Sequence, residues 1–173
     1  QQIGDEKPHV APVLQRISQS AGALSESMQD IVWAMKNPAG QLDELAARMT
    51  DFGLRLLEAR QVAFYTRIDI DSPGKQLRPD ARRNIYLIFK EAVANAAKYA
   101  EASEVQLDLF LKKGLLMMTV SDNGKGMETA ANLSGTKGNG LQNMRKRAED
   151  IGAALEIRSA PCVGVRVSLQ LSV

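Results

Sequence analysis

The chain has 173 residues, 45% hydrophobic and 24% charged, with a net charge of +2. This is the balance of a folded domain with a core of its own, and the near-neutral charge argues against nucleic acid or a membrane surface as partner. One cysteine, Cys162, rules out an internal disulfide, one histidine beside it makes a zinc site of the usual ligands unworkable, and without a bilayer-length apolar run or a signal peptide a cytoplasmic location is expected.

From Ile17 the apolar residues Ala21, Leu24, Met28, Ile31 and Met35 recur in steps of three and four, a heptad-like seam suited to a bundle or coiled coil. "KNPAG" interrupts it, with Asn37 and Pro38 suited to open the next helix. A second seam runs through Leu42, Leu45, Met49, Phe52, Leu56 and Ala59. Either stripe can pack on the rest of its own domain, or the first can meet another chain. "VAFYTRIDI" reads as a strand, "DSPG" as a turn, and a helix capped by Asp80 is expected to run to about Tyr99. "EVQLDLFLKK" alternates cleanly, Gly114 breaks it, and "LLMMTVSD" is the hairpin partner. Residues 123–137 lack a period and read as a loop. A helix over about 140–151 turns Leu141, Met144, Ala148 and Ile151 inward and stops at Gly152. Two strands close the chain, with Val163, Val165, Val167, Leu169 and Leu171 on one face of the second. One apolar face per strand predicts an α+β, two-layer sandwich, with helices on one face of a mixed or antiparallel sheet and long helices before it. The expected division is a helical segment over 1–60 and a second domain over 61–173.

Three clusters carry chemistry. Glu91, Asn95 and Lys98 share one face of the helix from Asp80, opposite Ile85, Phe89, Ala92 and Ala96. A carboxylate, an amide oxygen and an ammonium in a row could hold hydrated magnesium and a phosphate, or could simply be a solvated face. In "SDNGKGM", Asp122 ends a strand on the face of Leu116, Met118 and Val120, where a half-buried carboxylate needs a donor. Adenine offers an amino group at the position where guanine has a carbonyl, so an ionised carboxylate accepts from one and repels the other. Gly124 and Gly126 would let the backbone come close to a flat ligand, although the same residues also make ordinary turns. "GNGLQNM" places Gly138, Gly140 and Leu141 at a helix start, where backbone N–H groups attract anions, but it matches neither a phosphate-binding P-loop nor a dinucleotide fingerprint.

In this order the parts resemble the sensor histidine kinases of two-component systems. "KEAVANAAKYA" is similar to their N box, and "DNGKGM" and "GNGL" are similar to their two glycine boxes. "NMRKRAEDIGAALEIRSAP", "SMQDIVWAMKNP" and "LLEAR" resemble the nitrate-sensor-like subgroup, Bacteroidetes type, and the resemblance runs from about Ile17 to the end. It implies the ATP-binding fold shared with gyrase and the heat-shock chaperone ATPases, with ATP and Mg2+ as cofactors. It implies that Asp122 accepts from the adenine amino group, that Gly124 and Gly126 shape its pocket, and that Asn95 ligates magnesium. Lys98 would lie near phosphate, and Gly138, Gly140 and Leu141 would hinge an ATP lid over roughly 127–137. Glu91 matches the acidic position of the N box, as a base or as an orienting group. A homodimer through the helical segment, a response regulator as phosphoryl acceptor and an inner-membrane anchor on a longer chain are further implications.

Some residues depart from that pattern. The single histidine, His9, is followed by Val10 and flanked by prolines, so the acceptor histidine is expected upstream of residue 1 and autophosphorylation is not expected of these residues alone. Tyr99 stands where the N box often has histidine, and Val165 where a threonine is usual. The hydroxyl missing at Val165 predicts weakened or even lost nucleotide binding. Two other readings therefore stand beside the kinase: a scaffold of the same fold that dimerises without binding ATP, and an ATP hydrolase or Ser/Thr kinase of the same superfamily.

Overall fold

The computed structural model describes residues 41–72, 74–127 and 140–173. The seam of 17–35, Asn37 and Pro38, His9, Gly138 and all of the expected lid beyond Met127 lie outside the described residues. The described residues belong to one compact unit, Ala39–Val173. In chain order they form α1 (Leu42–Glu58), β1 (Ala63–Ile70), α2 (Pro79–Asn95), a π-helical turn (Ala96–Ala100), β2 (Glu104–Lys112) and β3 (Leu115–Asp122). Then come α3 (Gly140–Asp150), β4 (Ala154–Ala160) and β5 (Gly164–Ser172). The unit takes in α1, which its sequence had grouped with the helices before it. No described helix is long and apolar enough to cross a membrane.

The five strands form one mixed sheet in the order β1-β2-β3-β5-β4. β1 and β2 are parallel, joined by the α2 crossover, and the other pairs are antiparallel. Alternation sets the register of the central hairpin. Leu107, Leu109 and Leu111 pair with Val120, Met118 and Leu116, and all six are buried on the helix-covered face. The turn between them has Lys113 at φ 51° and Gly114 at φ 77°, the left-handed pair that a two-residue hairpin needs.

The helices cover that face with Leu45, Met49 and Leu57 from α1 and Ile85, Ile88 and Phe89 from α2. The buried stripe of α1 runs Leu42, Leu45, Met49, Gly53, Leu57, not on through Leu56 to the exposed Ala59. Gly53 redirects it, because the Phe64 ring of β1 occupies the space where a side chain at residue 53 would stand. Phe52, Tyr86 and Phe89 meet edge-on or stacked where α1 crosses α2, and Lys90 lies over the Phe52 ring at 5.0 Å. Arg82 is fully buried at this seam; burial pushes its guanidinium pKa down and the charge of Glu44 on α1 opposes the shift.

Two expectations about boundaries change. α2 starts one residue early, with Pro79 in its first turn and Asp80 inside that turn, so Asp80 favours the helix by its charge there and not as a cap. Val163 is 70% exposed because it falls in the turn before β5, while Val167, Leu169 and Leu171 do line the core.

Candidate functional site

α2 ends as an α-helix at Asn95 and continues as a π turn. The wider winding takes an extra residue per turn, which keeps Lys98, Tyr99 and Ala100 on the side of Glu91 and Asn95. That side faces a cavity of about 670 Å3 bounded by the end of β3, the start of β5 and the start of α3. Glu91, Asn95, Lys98, Asp122, Gly126, Gly140 and Leu141 all line it. Ala92 and Ala96, expected on the far side of the helix, are buried but also line the cavity, because the arc of α2 that faces it is wide.

The "DNGKG" segment divides its labour. Asp122 Oδ1 accepts from the backbone N–H of Gly124 at 3.0 Å and of Val165 at 3.3 Å. Both of these bonds go to one oxygen, which leaves Oδ2 to receive a donor from the cavity. Burial pushes the Asp122 carboxyl above its usual range, and the two amides oppose that shift. Asn123 turns away: its Oδ1 accepts from the N–H groups of Ser103 and Glu104, both at 3.0 Å, and tethers the start of β2. Gly124 does not line the cavity, since a Cβ there would run into the carbonyl of Ala100. Gly126, at φ 72°, would likewise meet the carbonyl of Ala160. The room that these glycines make is filled by the protein's own backbone, whereas the sequence suggested a ligand.

Lys125 joins two neighbouring loops through its main chain. Its N–H donates to Ala100 O at 2.8 Å and its carbonyl accepts from Cys162 N at 2.9 Å. Its ammonium pairs with Glu101 at 2.5 Å on the surface. Ser159 completes the frame: its hydroxyl accepts from Met127 N at 2.8 Å and donates to Gly164 O at 3.1 Å. Gly164, at φ 98°, lies against the main chain of Asp122 where no Cβ would fit. Sequence reasoning missed Ser159 and Gly164. A serine sharing a face with Leu155 and Ile157, and a glycine at a strand start, were the available signals.

Val165 donates its main-chain N–H to Asp122 Oδ1, and the side-chain hydroxyl that a threonine would add is absent. Elsewhere on the cavity wall Asn95 Nδ2 donates to Glu91 Oε1 at 3.3 Å, which leaves Asn95 Oδ1 as the amide's acceptor. A Cβ on Gly140 would run into the same Glu91 carboxylate. The start of α3, read from sequence as an anion site, thus already has a carboxylate beside it. Among the described residues no group of three or more His, Cys, Asp and Glu side chains could hold a metal. The donor set fits magnesium carried in on a nucleotide, which takes one protein oxygen and completes its shell with phosphate and water.

The geometry is therefore one cavity lined by the half-buried carboxylate of Asp122, the amide of Asn95 and the ammonium of Lys98. Known proteins share the fold. The histidine kinase domain of the Erythrobacter litoralis EL346 blue-light activated histidine kinase superposes with a TM-score of 0.66 at 17% identity, over 97% of this chain and 86% of that one. Acinetobacter baumannii histidine kinase AdeS gives 0.66 at 12% identity, over 98% and 87%. In sequence, the sensor protein VraS of Staphylococcus aureus (strain COL) is 34% identical over 87 residues, 50% of this chain and 24% of that protein. VraS of Staphylococcus haemolyticus is 33% identical over the same length, so the chain spans about a quarter of these relatives. Residues 80–173, more than half of the chain, match the family described as histidine kinase-, DNA gyrase B-, and HSP90-like ATPase, and the chain belongs to that family.

Proposed function

We propose that the chain carries the ATP-binding catalytic domain of a two-component sensor histidine kinase. The observation that carries this reading is Asp122, whose Oδ1 is occupied by two backbone amides and whose Oδ2 is left for a donor in the cavity. An adenine amino group is that donor. Asn95 Oδ1 would hold Mg2+, which would screen the phosphate charge, and Lys98 would face the phosphates as a point charge. Val120 and Val167, paired across β3 and β5 beside Asp122, give the base apolar walls. Gly138, Gly140 and Leu141 would hinge a lid over 127–137.

In such transfers the protein mainly positions groups and stabilises charge. Asp122 orients the base, Asn95 and Lys98 fix the phosphates at the opposite end, and the γ-phosphoryl passes to a histidine and then to a response-regulator aspartate. His9 does not supply that histidine, since Val10 and not an acidic residue follows it. The seam of residues 17–35 would contribute part of the dimerisation segment of a homodimer, the "NMRKRAEDIGA" tail supports the nitrate-sensor-like subgroup, and "SMQDIVWAMKNP" and "LLEAR" support its Bacteroidetes type. The longer protein would be anchored in the inner membrane with this part in the cytoplasm.

Calorimetry of the chain with a non-hydrolysable ATP analogue and Mg2+ tests it. Binding is expected, with a loss of about tenfold or more in Asp122→Asn. No binding at millimolar ligand, or an Asp122→Asn variant that binds as well as wild type, would sink the reading.

A further inference from the structure

Arg60 stands outside the cavity lining yet bears on it. α1 ends in a turn where Gln61 N donates to Glu58 O and Val62 N to Leu57 O, both at 3.0 Å, with Gln61 left-handed at φ 57°. This is the Schellman pattern of a helix end. Ala63 N then donates to Ser103 O at 2.9 Å. The main chain that carries Arg60 is thus held before and after that residue, and it is tied to the segment that follows the π turn. From this place Arg60 donates Nη1 to Ala97 O at 2.9 Å.

Ala97 lies in the last turn of its helix, where the carbonyls find few N–H groups ahead of them. The same end is the helix's negative pole, so a cation is favoured there. The carbonyl that Arg60 holds belongs to the peptide unit between Ala97 and Lys98, and a peptide unit is planar and stiff. Holding Ala97 O therefore fixes the plane from which the Lys98 side chain departs, and Lys98 lines the cavity. A second carbonyl of the π turn, Ala100 O, accepts from Lys125 N at 2.8 Å. Two donors from outside the helix thus grip the turn, one before Lys98 and one after Tyr99.

We infer that Arg60 is a positioning residue for the nucleotide's phosphates: by clamping the Ala97–Lys98 peptide it sets where the Lys98 ammonium stands in the cavity. The end of α1 is in this way tied to the side chain that meets phosphate. The inference rests on the nucleotide reading above, yet the clamp at its centre can be measured without ligand.

Amide hydrogen exchange of the 173-residue chain without ligand tests the clamp. Arg60→Ala should speed exchange in residues 97–102 by about threefold to tenfold, the equivalent of one hydrogen bond, and leave the β2–β3 hairpin unchanged. Unchanged exchange over 97–102 would overturn the clamp. Calorimetry with the non-hydrolysable ATP analogue and Mg2+ tests the route through Lys98. Arg60→Ala should bind about threefold to tenfold more weakly, and Arg60→Lys, which keeps a charged donor, should recover most of that loss. In a Lys98→Ala background Arg60→Ala should cause no further loss, because the two residues act in series. Equal losses in both backgrounds, or an Arg60→Ala loss as large for adenosine, which has no phosphate, would overturn the positioning role. A wild-type chain that binds no analogue would overturn the function proposed above, and the exchange rates would still judge the clamp.

Discussion

Asp122 holds a charge in a place that resists it. Burial raises its pKa, more than the Gly124 and Val165 amides lower it. A carboxyl whose folded pKa lies above its unfolded value binds its proton more tightly when folded. Its contribution to stability is therefore greatest in acid and declines as pH rises from the ordinary 3.8 through the raised value. Asparagine keeps the shape and an acceptor for both amides while removing the charge. Without ligand, Asp122→Asn should be at least as stable as wild type near neutral pH, and should lose the part of the pH dependence that lies just above the ordinary carboxylate range. Denaturant unfolding across that range checks this, and a variant clearly less stable than wild type near neutrality would contradict it. The motif announced Asp122 in the sequence, since a carboxylate at a strand end followed by Asn-Gly is conspicuous. The reason for the glycines was not legible, because Ala100 and Ala160 approach them from elements far away in the chain.

At the scale of elements, the cavity is framed by three segments that meet only in the fold: the end of the π turn, the segment after β3 and the β4–β5 hairpin. Main-chain bonds through Lys125 join all three, and the Ser159 hydroxyl bridges Met127 and Gly164. Ser159→Ala removes both bonds of that hydroxyl and leaves two main-chain groups to find water. A loss of about 1–3 kcal/mol is expected in chemical unfolding, together with weaker nucleotide binding, because Gly164 backs Asp122. An unchanged midpoint would show that the bridge contributes nothing. The hairpin of β2 and β3 was readable residue by residue, since its alternation and Gly114 set both register and turn. Ser159 was not, because its importance follows from pairing with Val165 across the β4–β5 register, which periodicity does not reveal. The π turn was hidden as well, for "AAKYA" carries no residue that forbids ordinary α-helix.

For the whole molecule, the order of elements and their single apolar faces were enough to place helices on one side of a mixed sheet. They were not enough to attach α1 to that layer, because the stripe of Leu42, Leu45 and Met49 serves a bundle as well as a sheet. The Phe64 ring against Gly53 and the buried Arg82 beside Glu44 decide it, and both are contacts between elements. The layer brings Asn95 and Asp122 to one cavity, where, on the function proposed above, a single nucleotide would be held by its base and by its phosphates. On the function proposed above, Asp122 is the group that reads adenine. Parallel calorimetric titrations of the chain with non-hydrolysable ATP and GTP analogues, in the presence of Mg2+, test it most directly. The ATP analogue should bind about tenfold or more tightly than the GTP analogue, because guanine puts a carbonyl oxygen against the carboxylate, and Asp122→Asn should abolish most of this preference. Equal affinity for the two analogues, or a preference that survives in Asp122→Asn, would contradict it.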